Sequence, residues 1–349
     1  MNHVLVGLSG GLDSAFVAYT LKKEGFLVDG IHFSNGFVKD NAYEILERIS
    51  KFLDISIKYV SLKEQFSKLL MNVDIEMCHM QSPNICVMCA RDIKFGYVMR
   101  YALSNGYDYM ATGHYVRLMH EEDDTTTILK GIDETRDQSY GFGVIPQHRL
   151  IRALTPLGYY IKSDIRKIAD DIGLPYINKE SRGLCFTTKP FNEFYSDMVH
   201  MQFTNGKFIT VDKKPVIFPH DGQQLYVRGQ KVFVGKTKYV VDKKMQNGDI
   251  LLTQQHNIYK KSVFLRNIVF HIAIEKIDVE KIYQIKIRYN GQPVNCKILN
   301  MCDEERLKHQ EIIPFVMTIQ CQTPVYAPTP GQIGTIYDGD IVVLGGFIC

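Results

Sequence analysis

The feature that most constrains this chain is the sextet Ser9-Gly10-Gly11-Leu12-Asp13-Ser14, because of what flanks it. Residues 4 to 8 form a short apolar run, and residues 14 to 24 carry Phe16, Val17, Tyr19 and Leu21 in a helical setting. A glycine turn between a strand and a helix lets backbone N–H groups converge on an anion, and the helix N-terminus adds its partial positive charge. The Gly-Lys-Ser/Thr ending of a Walker A loop is absent, so this is a different phosphate cradle or a plain glycine turn, and the strand-helix context favours the cradle.

The same alternation continues downstream. Residues 26 to 33 read as a strand, residues 41 to 53 place Ile45, Leu46, Ile49, Phe52 and Leu53 at helical spacing, and residues 55 to 60 return to β-type side chains. Residues 107 to 112 read as a further strand that ends at Gly113-His114-Tyr115. A β-α-β-α-β order implies a parallel sheet covered on both faces. Ligands of such sheets sit beyond the carboxyl ends of the strands, so both glycine turns are expected to open into one crevice.

After about residue 200 helical periodicity fades. Short segments rich in Val, Ile, Tyr and Phe recur between Asn205-Gly206, Asp221-Gly222, Asn247-Gly248, Asn290-Gly291 and Asp338-Gly339, a pattern of small antiparallel β domains. A chain of 349 residues has room for more than one core. The predicted division is an α/β domain over 1–200, a small central β-rich domain over 201–259, and a C-terminal β domain over 260–349. The acidic run at 121 to 124 reads as a solvated hairpin tip.

Residues 205 to 244 hold nine Lys or Arg against three acids. That surface would attract a phosphate backbone, or it is a set of strand edges protected by lysine; charge alone weighs the two equally. No apolar stretch reaches the length of a membrane span. The start lacks the basic leader and cleavage site of a signal peptide, so a cytoplasmic location is expected. In that setting the eight cysteines read as thiols, metal ligands or catalytic groups rather than a disulfide framework.

Three cysteines stand out by position. Cys86 and Cys89 lie in Ser82-Pro83-Asn84-Ile85-Cys86-Val87-Met88-Cys89, followed by Ile93-Lys94-Phe95, and Cys185 lies in Ser181-Arg182-Gly183-Leu184-Cys185-Phe186. A Cys-x-x-Cys alone is ambiguous among zinc, an iron–sulfur cluster, redox chemistry and chance. A lone cysteine before Phe is more often a small buried hydrophobe.

Taken together and in order, these segments resemble the tRNA-specific 2-thiouridylase family, whose glycine loop is of the ATP pyrophosphatase (PP-loop) type. The resemblance runs from residue 4 to the C-terminus through SGGLDS, SPNICVMC with IKFG, ATGHY, DQSY, TPLG, SRGLCF, IRYNGQPV and TPGQIGTIYDGDIVVLGGFI. The middle is poorly matched: Tyr226-Val227-Arg228-Gly229-Gln230-Lys231 stands where the family has a Tyr-Thr-x-Gly-Gln-Arg motif.

The resemblance implies an N-terminal PP-loop domain, a C-terminal β-barrel that binds tRNA, and adenylation of the C2 oxygen of a wobble uridine followed by sulfur transfer from a cysteine persulfide. It assigns ATP to Gly7, Leu8, Ser9, Gly10, Gly11, Leu12, Asp13, Ser14, Phe33 and Gly113, with Asp13 holding Mg²⁺ through the phosphates. Catalytic roles fall to Cys89 and Cys185, a pair implied to form a disulfide bond during turnover; both need thiolate character and an electropositive or helix-terminal setting. Asn84, Ile85 and Cys86 are placed at the target base, and His114, Arg136, Asp137, Gln138, Arg288, Tyr289 and Gln332 at the tRNA. Read without the motifs, His114 is an ordinary capping histidine and Arg288-Tyr289 an exposed strand pair. The implied partners are tRNA and a sulfur-donor protein, a cysteine desulfurase or relay protein, with no membrane or DNA.

Departures from the family leave a second scheme of equal weight. Cys86 stands where some members carry Asp, so Cys86, Cys89 and Cys185 could instead ligate a [4Fe–4S] cluster whose open iron binds sulfide. A zinc site completed by Cys78 or His79 is a third reading. Ala90, Arg136, Gly141 and Gly143 also depart from the pattern. Rival classes are another PP-loop adenylating ligase, which has no need of cysteines near the loop, and an RNA-binding relative, in which SGGLDS would have decayed.

Overall fold

The structure is a computed structural model that describes residues 1–37, 42–79, 81–178, 184–198, 204–211, 217–220, 222–301, 312 and 315–349, without the side chains of Cys78, Phe191, Asn192, Met198 and His256. Ser181, Arg182, Gly183, Asp212, Lys213, Lys214 and Asp221 lie outside the described residues, as does the Cys78 thiol.

The first sheet is parallel and five-stranded, in the order Ile57–Ser61, Leu27–Ser34, His3–Gly7, Tyr109–Ala111, Ala153–Leu154. Val4 and Val6 pack under the helix Leu12–Lys23 and its neighbours, while Leu5 points into the opposite cluster with Phe66 and Phe95. A strand buried on both faces must be apolar at every position, which is why residues 4 to 8 lack alternation. Chain order reverses at His3–Gly7, flanked by the second strand on one side and Tyr109–Ala111 on the other. That reversal sets the two glycine turns side by side at the carboxyl ends of their strands. Ala153–Leu154 was not anticipated, because two residues carry no periodicity.

The second sheet runs Lys231–Val234, Thr237–Lys244, Ile250–Thr253, Gly206–Thr210, Ile217–His220. It is not wholly antiparallel: Ile250–Thr253 pairs in parallel with Gly206–Thr210. The hairpin partner Ile217–His220 already occupies one edge of Gly206–Thr210, so the returning strand takes the other edge and runs the same way.

The last module is a closed barrel. Six antiparallel strands follow in the order Tyr259–Phe270, Met317–Tyr326, Val294–Ile298, Tyr283–Lys286, Ile333–Asp338, Ile341–Ile348, and the last pairs back on the first. The hairpin Val116–His120 with Thr126–Lys130, whose tip is the acidic run, adds to the barrel strand Ile341–Ile348. Buried polar contacts join barrel and α/β domain: Tyr140 donates to the Ile333 carbonyl (2.8 Å), Thr335 Oγ1 to the Tyr140 carbonyl (2.8 Å), and His271 Nε2 meets the Gly143 carbonyl (3.0 Å). Gly143, a departure from the family, has its carbonyl so close to Gly345 that a Cβ there would lie 2.3 Å from it. Among the described residues no helix is long and apolar enough to cross a membrane.

Candidate active site

The glycine loop is preshaped by its own side chains. Ser14 Oγ donates to the Gly11 carbonyl (3.0 Å) and accepts from Ser9 N (3.1 Å). Gly10 sits at φ +81°, and a Cβ there would press to 2.8 Å from Ile45, so only glycine keeps the turn unstrained. The helix Leu12–Lys23 has no side-chain N-cap, so its first N–H groups are open to an anion. Asp13 Oδ1 accepts from both Tyr115 Oη and Lys162 Nζ, each at 2.5 Å. Asp13 Oδ2 makes no hydrogen bond among the described residues and could face a Mg²⁺ held by the phosphates.

Gly113 closes on this loop from the neighbouring strand; a Cβ there would stand 3.1 Å from Asp13 Cβ. The two turns open into one cavity of about 560 Å³ whose lining includes Ser9, Phe33, Lys94, Gly113, His114 and Cys185. A second cavity of about 310 Å³ lies beyond Asp13 and is lined by Arg136, Gln138, Lys162, Arg166 and Tyr289. Its cations suit phosphate oxygens. His114 is no capping histidine: its ring packs against Phe95 and Phe142. Burial, with the nearby Lys94 charge, holds its imidazole well below the ordinary range.

Three helical stretches, Ile85–Met88, Cys89–Val98 and Met99–Ser104, follow without a break, and the middle one is wound as a π-helix. Such widening leaves carbonyls needing other partners; the Arg91 carbonyl takes Arg149 Nη1 at 2.7 Å. Cys86 lies in the first helical turn and is exposed, Cys89 is buried in the core, and Cys185 is exposed while its neighbour Phe186 is buried. All three are free thiols. Cys185 is therefore not the small buried hydrophobe that a cysteine before Phe usually is. Asn35 Nδ2 donates to the Cys185 carbonyl (3.2 Å) and anchors it at the cavity.

The expected electropositive setting is only partly met. Burial of the sulfur raises the thiols of Cys86 and Cys185, although both residues are partly reachable by solvent, and burial pushes Cys89 up to about 12. Lys94 is the one cation among the causes that opposes these increases. Among the described residues no three His, Cys, Asp or Glu side chains gather closely enough to hold a metal ion. The three thiols bear on one another's ionisation, Cys185 raising both Cys86 and Cys89, while Cys86 also lines a small apolar pocket and Cys185 the large cavity. His79 is an exposed residue whose Nδ1 meets the Ile75 carbonyl (2.7 Å).

The residues assigned to tRNA separate into two groups. Arg136, Gln138 and Tyr289 line the cationic cavity. Asp137 is buried and organises its loop, accepting from Gly131 N, Ser139 N and Ser139 Oγ. Arg288 donates to the Ala327 carbonyl and Thr329 Oγ1, both at 3.1 Å. Gln332 Nε2 donates to Ser82 Oγ (2.8 Å), and Asn84 Nδ2 reaches Gln332 Oε1 (3.5 Å), so the barrel clamps the segment that carries Asn84, Ile85 and Cys86. Lys94, Tyr115, Lys162 and Asn35 were given no role from the sequence. The signals were Lys94 between Ile93 and Phe95, five residues after Cys89, and Tyr115 at the end of ATGHY; Lys162 and Asn35 had none.

Residues 2–189 match the family described as the tRNA methyl transferase HUP domain, and residues 260–348 match the aminomethyltransferase β-barrel domain. The chain is 34% identical to the tRNA-specific 2-thiouridylase MnmA 2 of Thermoanaerobacter sp. (strain X514), over 99% of this chain and 98% of that protein. It is 33% identical to MnmA 1 of Caldanaerobacter subterraneus subsp. tengcongensis, with 99% and 98% covered. With MnmA of Neisseria meningitidis it shares 29% identity, with 99% and 95% covered.

Proposed function

The chain belongs to the tRNA-specific 2-thiouridylase family, and from that premise we propose that it is a tRNA-uridine 2-sulfurtransferase that activates the C2 oxygen of a wobble uridine with ATP. The observation that carries the reading is the shared cavity: the open helix N-terminus of the glycine loop and the accessible Cys185 line one space.

ATP binds with its phosphates on Ser9 to Ser14 and its nucleoside toward Phe33. Asp13 would hold Mg²⁺, which offsets the crowded phosphate charge. A uridine C2 carbonyl is a poor electrophile. Attack of its oxygen on the α-phosphate releases pyrophosphate and leaves an adenylate, so AMP becomes the later leaving group. Lys162 and Arg136, beyond Asp13, receive the departing pyrophosphate.

Sulfur arrives as a persulfide on Cys185, an exposed thiol that a sulfur-donor protein can reach and that lines the same cavity as the glycine loop. Its terminal sulfur replaces AMP at C2. Cys89 supplies the two electrons by attacking the remaining S–S linkage, which leaves a Cys89–Cys185 disulfide that an external thiol must reduce before the next turnover. Burial keeps Cys89 protonated until that step needs it, and Lys94 eases its ionisation.

Mass spectrometry of nucleosides from tRNA treated with the protein, ATP, Mg²⁺ and a persulfide donor tests the reading. One 2-thiouridine per susceptible tRNA, with AMP and pyrophosphate in equal amount, is expected. Asp13→Ala should abolish AMP formation; thiolation without AMP would sink the adenylation chemistry.

A further inference from the structure

The poorly matched central segment has a place in the site. A cavity of about 270 Å³ separates Asn84, Ile85 and Cys86 on one wall from Leu225, Val227 and Gln230 on the other. Leu184 also lines it, so the cavity adjoins the residue next to Cys185. It is smaller than the ATP cavity, mostly apolar, and polar only at a few points. Flat apolar walls with one or two fixed hydrogen-bonding groups are what a nucleobase drawn out of its stack requires.

Gln230 is held for such a role. Its Oε1 accepts from Val227 N (3.1 Å), and because a backbone N–H can only donate, the oxygen must be the atom facing its own turn. The Nε2 therefore points elsewhere, with no hydrogen bond among the described residues. The turn itself is fixed from two sides. Gly229 N donates to the Val241 carbonyl (2.8 Å) and Val241 N to the Gln230 carbonyl (2.9 Å) within the central sheet. From the barrel, Tyr326 Oη donates to the Gly229 carbonyl (3.2 Å), and Thr329 Oγ1 lies against the Arg228 carbonyl (3.1 Å) while its one proton has the Ala327 carbonyl (2.8 Å) as the nearer acceptor. A donor on so constrained a loop loses little entropy on binding.

Asn84, Ile85 and Cys86 are the residues expected at the target base, and we propose that Gln230, on the facing wall of this cavity, is a specificity-determining residue, its amide N–H reading the base carbonyl at C4. The assignment rests on the thiolation reading above and deepens it. The C2 oxygen must face ATP and Cys185, so the C4 edge is the one left for Gln230. Uracil presents an acceptor there. Cytosine presents an amino group, and two donors would then confront each other.

Substitutions that keep the shape and change the donor test this. Gln230→Leu should lower kcat/KM for 2-thiouridine formation in an anticodon stem-loop roughly 10- to 100-fold, with ATP affinity unchanged and stem-loop affinity within about threefold. Gln230→Glu, which offers acceptors, should lose uridine thiolation and gain turnover of the same stem-loop with cytidine at the target. Wild-type kcat/KM on uridine in both variants would overturn the assignment. A second arm needs no substitution. A stem-loop carrying 4-thiouridine at the target places a photoreactive sulfur at C4, and irradiation with wild-type protein should crosslink it to the peptide spanning residues 225 to 231; crosslinks confined to other peptides would also overturn it. Wild-type protein that forms no 2-thiouridine in any tRNA removes the thiolation reading and this proposal with it, whereas active wild type with indifferent variants removes this proposal alone.

Discussion

Lys94 Nζ stands 3.4 Å from His114 Nε2, and the contact fixes the protonation of the imidazole. An ammonium has only donors, so Nε2 must accept. Nδ1 then carries the proton and donates to Thr112 Oγ1 at 2.7 Å. With its imidazole held neutral between Phe95 and Phe142, His114 works as a bracket for the lysine rather than as an acid. The lysine is thereby held in the cavity that Cys185 lines, where its charge opposes the burial that raises the thiols.

Lys94→Met should therefore slow alkylation of Cys185 by iodoacetamide at pH 8 about three- to tenfold, because each unit of upward shift removes tenfold of the thiolate. Lys94→Arg keeps the charge and should react near the wild-type rate. Peptide mass spectrometry of timed samples reads both. Equal rates in Met and wild-type proteins would show that the charge does not reach the thiol.

The site's framework was legible because chemistry and periodicity coincided. Ser9 to Ser14 combined glycines with a strand and a helix, and Gly113 ended a strand-like segment, so one crevice followed from topology. The lining that came from afar was not legible. Lys162 reaches Asp13 across the fold, Asn35 holds Cys185, and Gln332 ties the barrel to Ser82; polar contacts between distant segments leave no periodic trace. The parallel pairing in the central sheet was hidden for a related reason, since strand direction depends on the path of the chain between distant strands, which leaves no periodic trace. Asp137 carries a role the sequence did not show: expected at the tRNA, it is also a buried hub that organises its own loop.

Glu76 makes stability depend on pH. Burial raises its carboxyl from 4.5 to about 7, against the pull of Arg91 and Arg266. The folded state thus keeps a proton that the unfolded chain has released, so stability falls as pH climbs from about 4.5 to 7 and levels off above that. Glu76→Gln removes the dependence. Its Tm should match wild type near pH 4 and exceed it by roughly 2–4 °C at pH 8: the full shift corresponds to roughly 3 kcal/mol, which solvent screening of a partly exposed carboxyl cuts to about 1 kcal/mol. A constant Tm difference across that range would show that the carboxyl does not titrate as described.

The central sheet should contribute to the salt dependence of tRNA binding, though not through every cation in it. Arg228 pairs with Asp242 and Lys244 Nζ donates to the Met77 carbonyl (2.8 Å), so both already have partners within the protein. Lys207, Lys231, Lys236, Lys238 and Lys243 are exposed. Changing Lys231, Lys236, Lys238 and Lys243 to Gln should flatten the slope of log Kd against log salt by roughly one for each lysine that meets a phosphate. Filter binding across a salt series decides it, and an unaltered slope would make the sheet only a solvated face.

In the proposed mechanism accessibility divides the labour of Cys89 and Cys185. Cys185 is exposed and Cys89 is buried and pushed up to about 12, so a persulfide donor should load Cys185 first, and Cys89 should act only after sulfur has moved. Cys185→Ser and Cys89→Ser should each lower 2-thiouridine formation by roughly a hundredfold or more, with ATP affinity intact because neither side chain belongs to the glycine loop. They should fail differently. Cys185→Ser should accumulate adenylated tRNA and carry no persulfide. Cys89→Ser lacks the thiol that cleaves the linkage between Cys185 and the transferred sulfur, so it should trap tRNA covalently on Cys185 in a form that dithiothreitol releases as 2-thiouridine. Wild-type protein after a single turnover without reductant should yield a Cys89–Cys185 disulfide peptide. Cys86→Ser keeps both thiols and should thiolate at close to the wild-type rate. An inactive Cys86→Ser with normal persulfide loading would show that the third thiol takes part in the transfer, and full thiolation by Cys185→Ser would overturn the sulfur assignment.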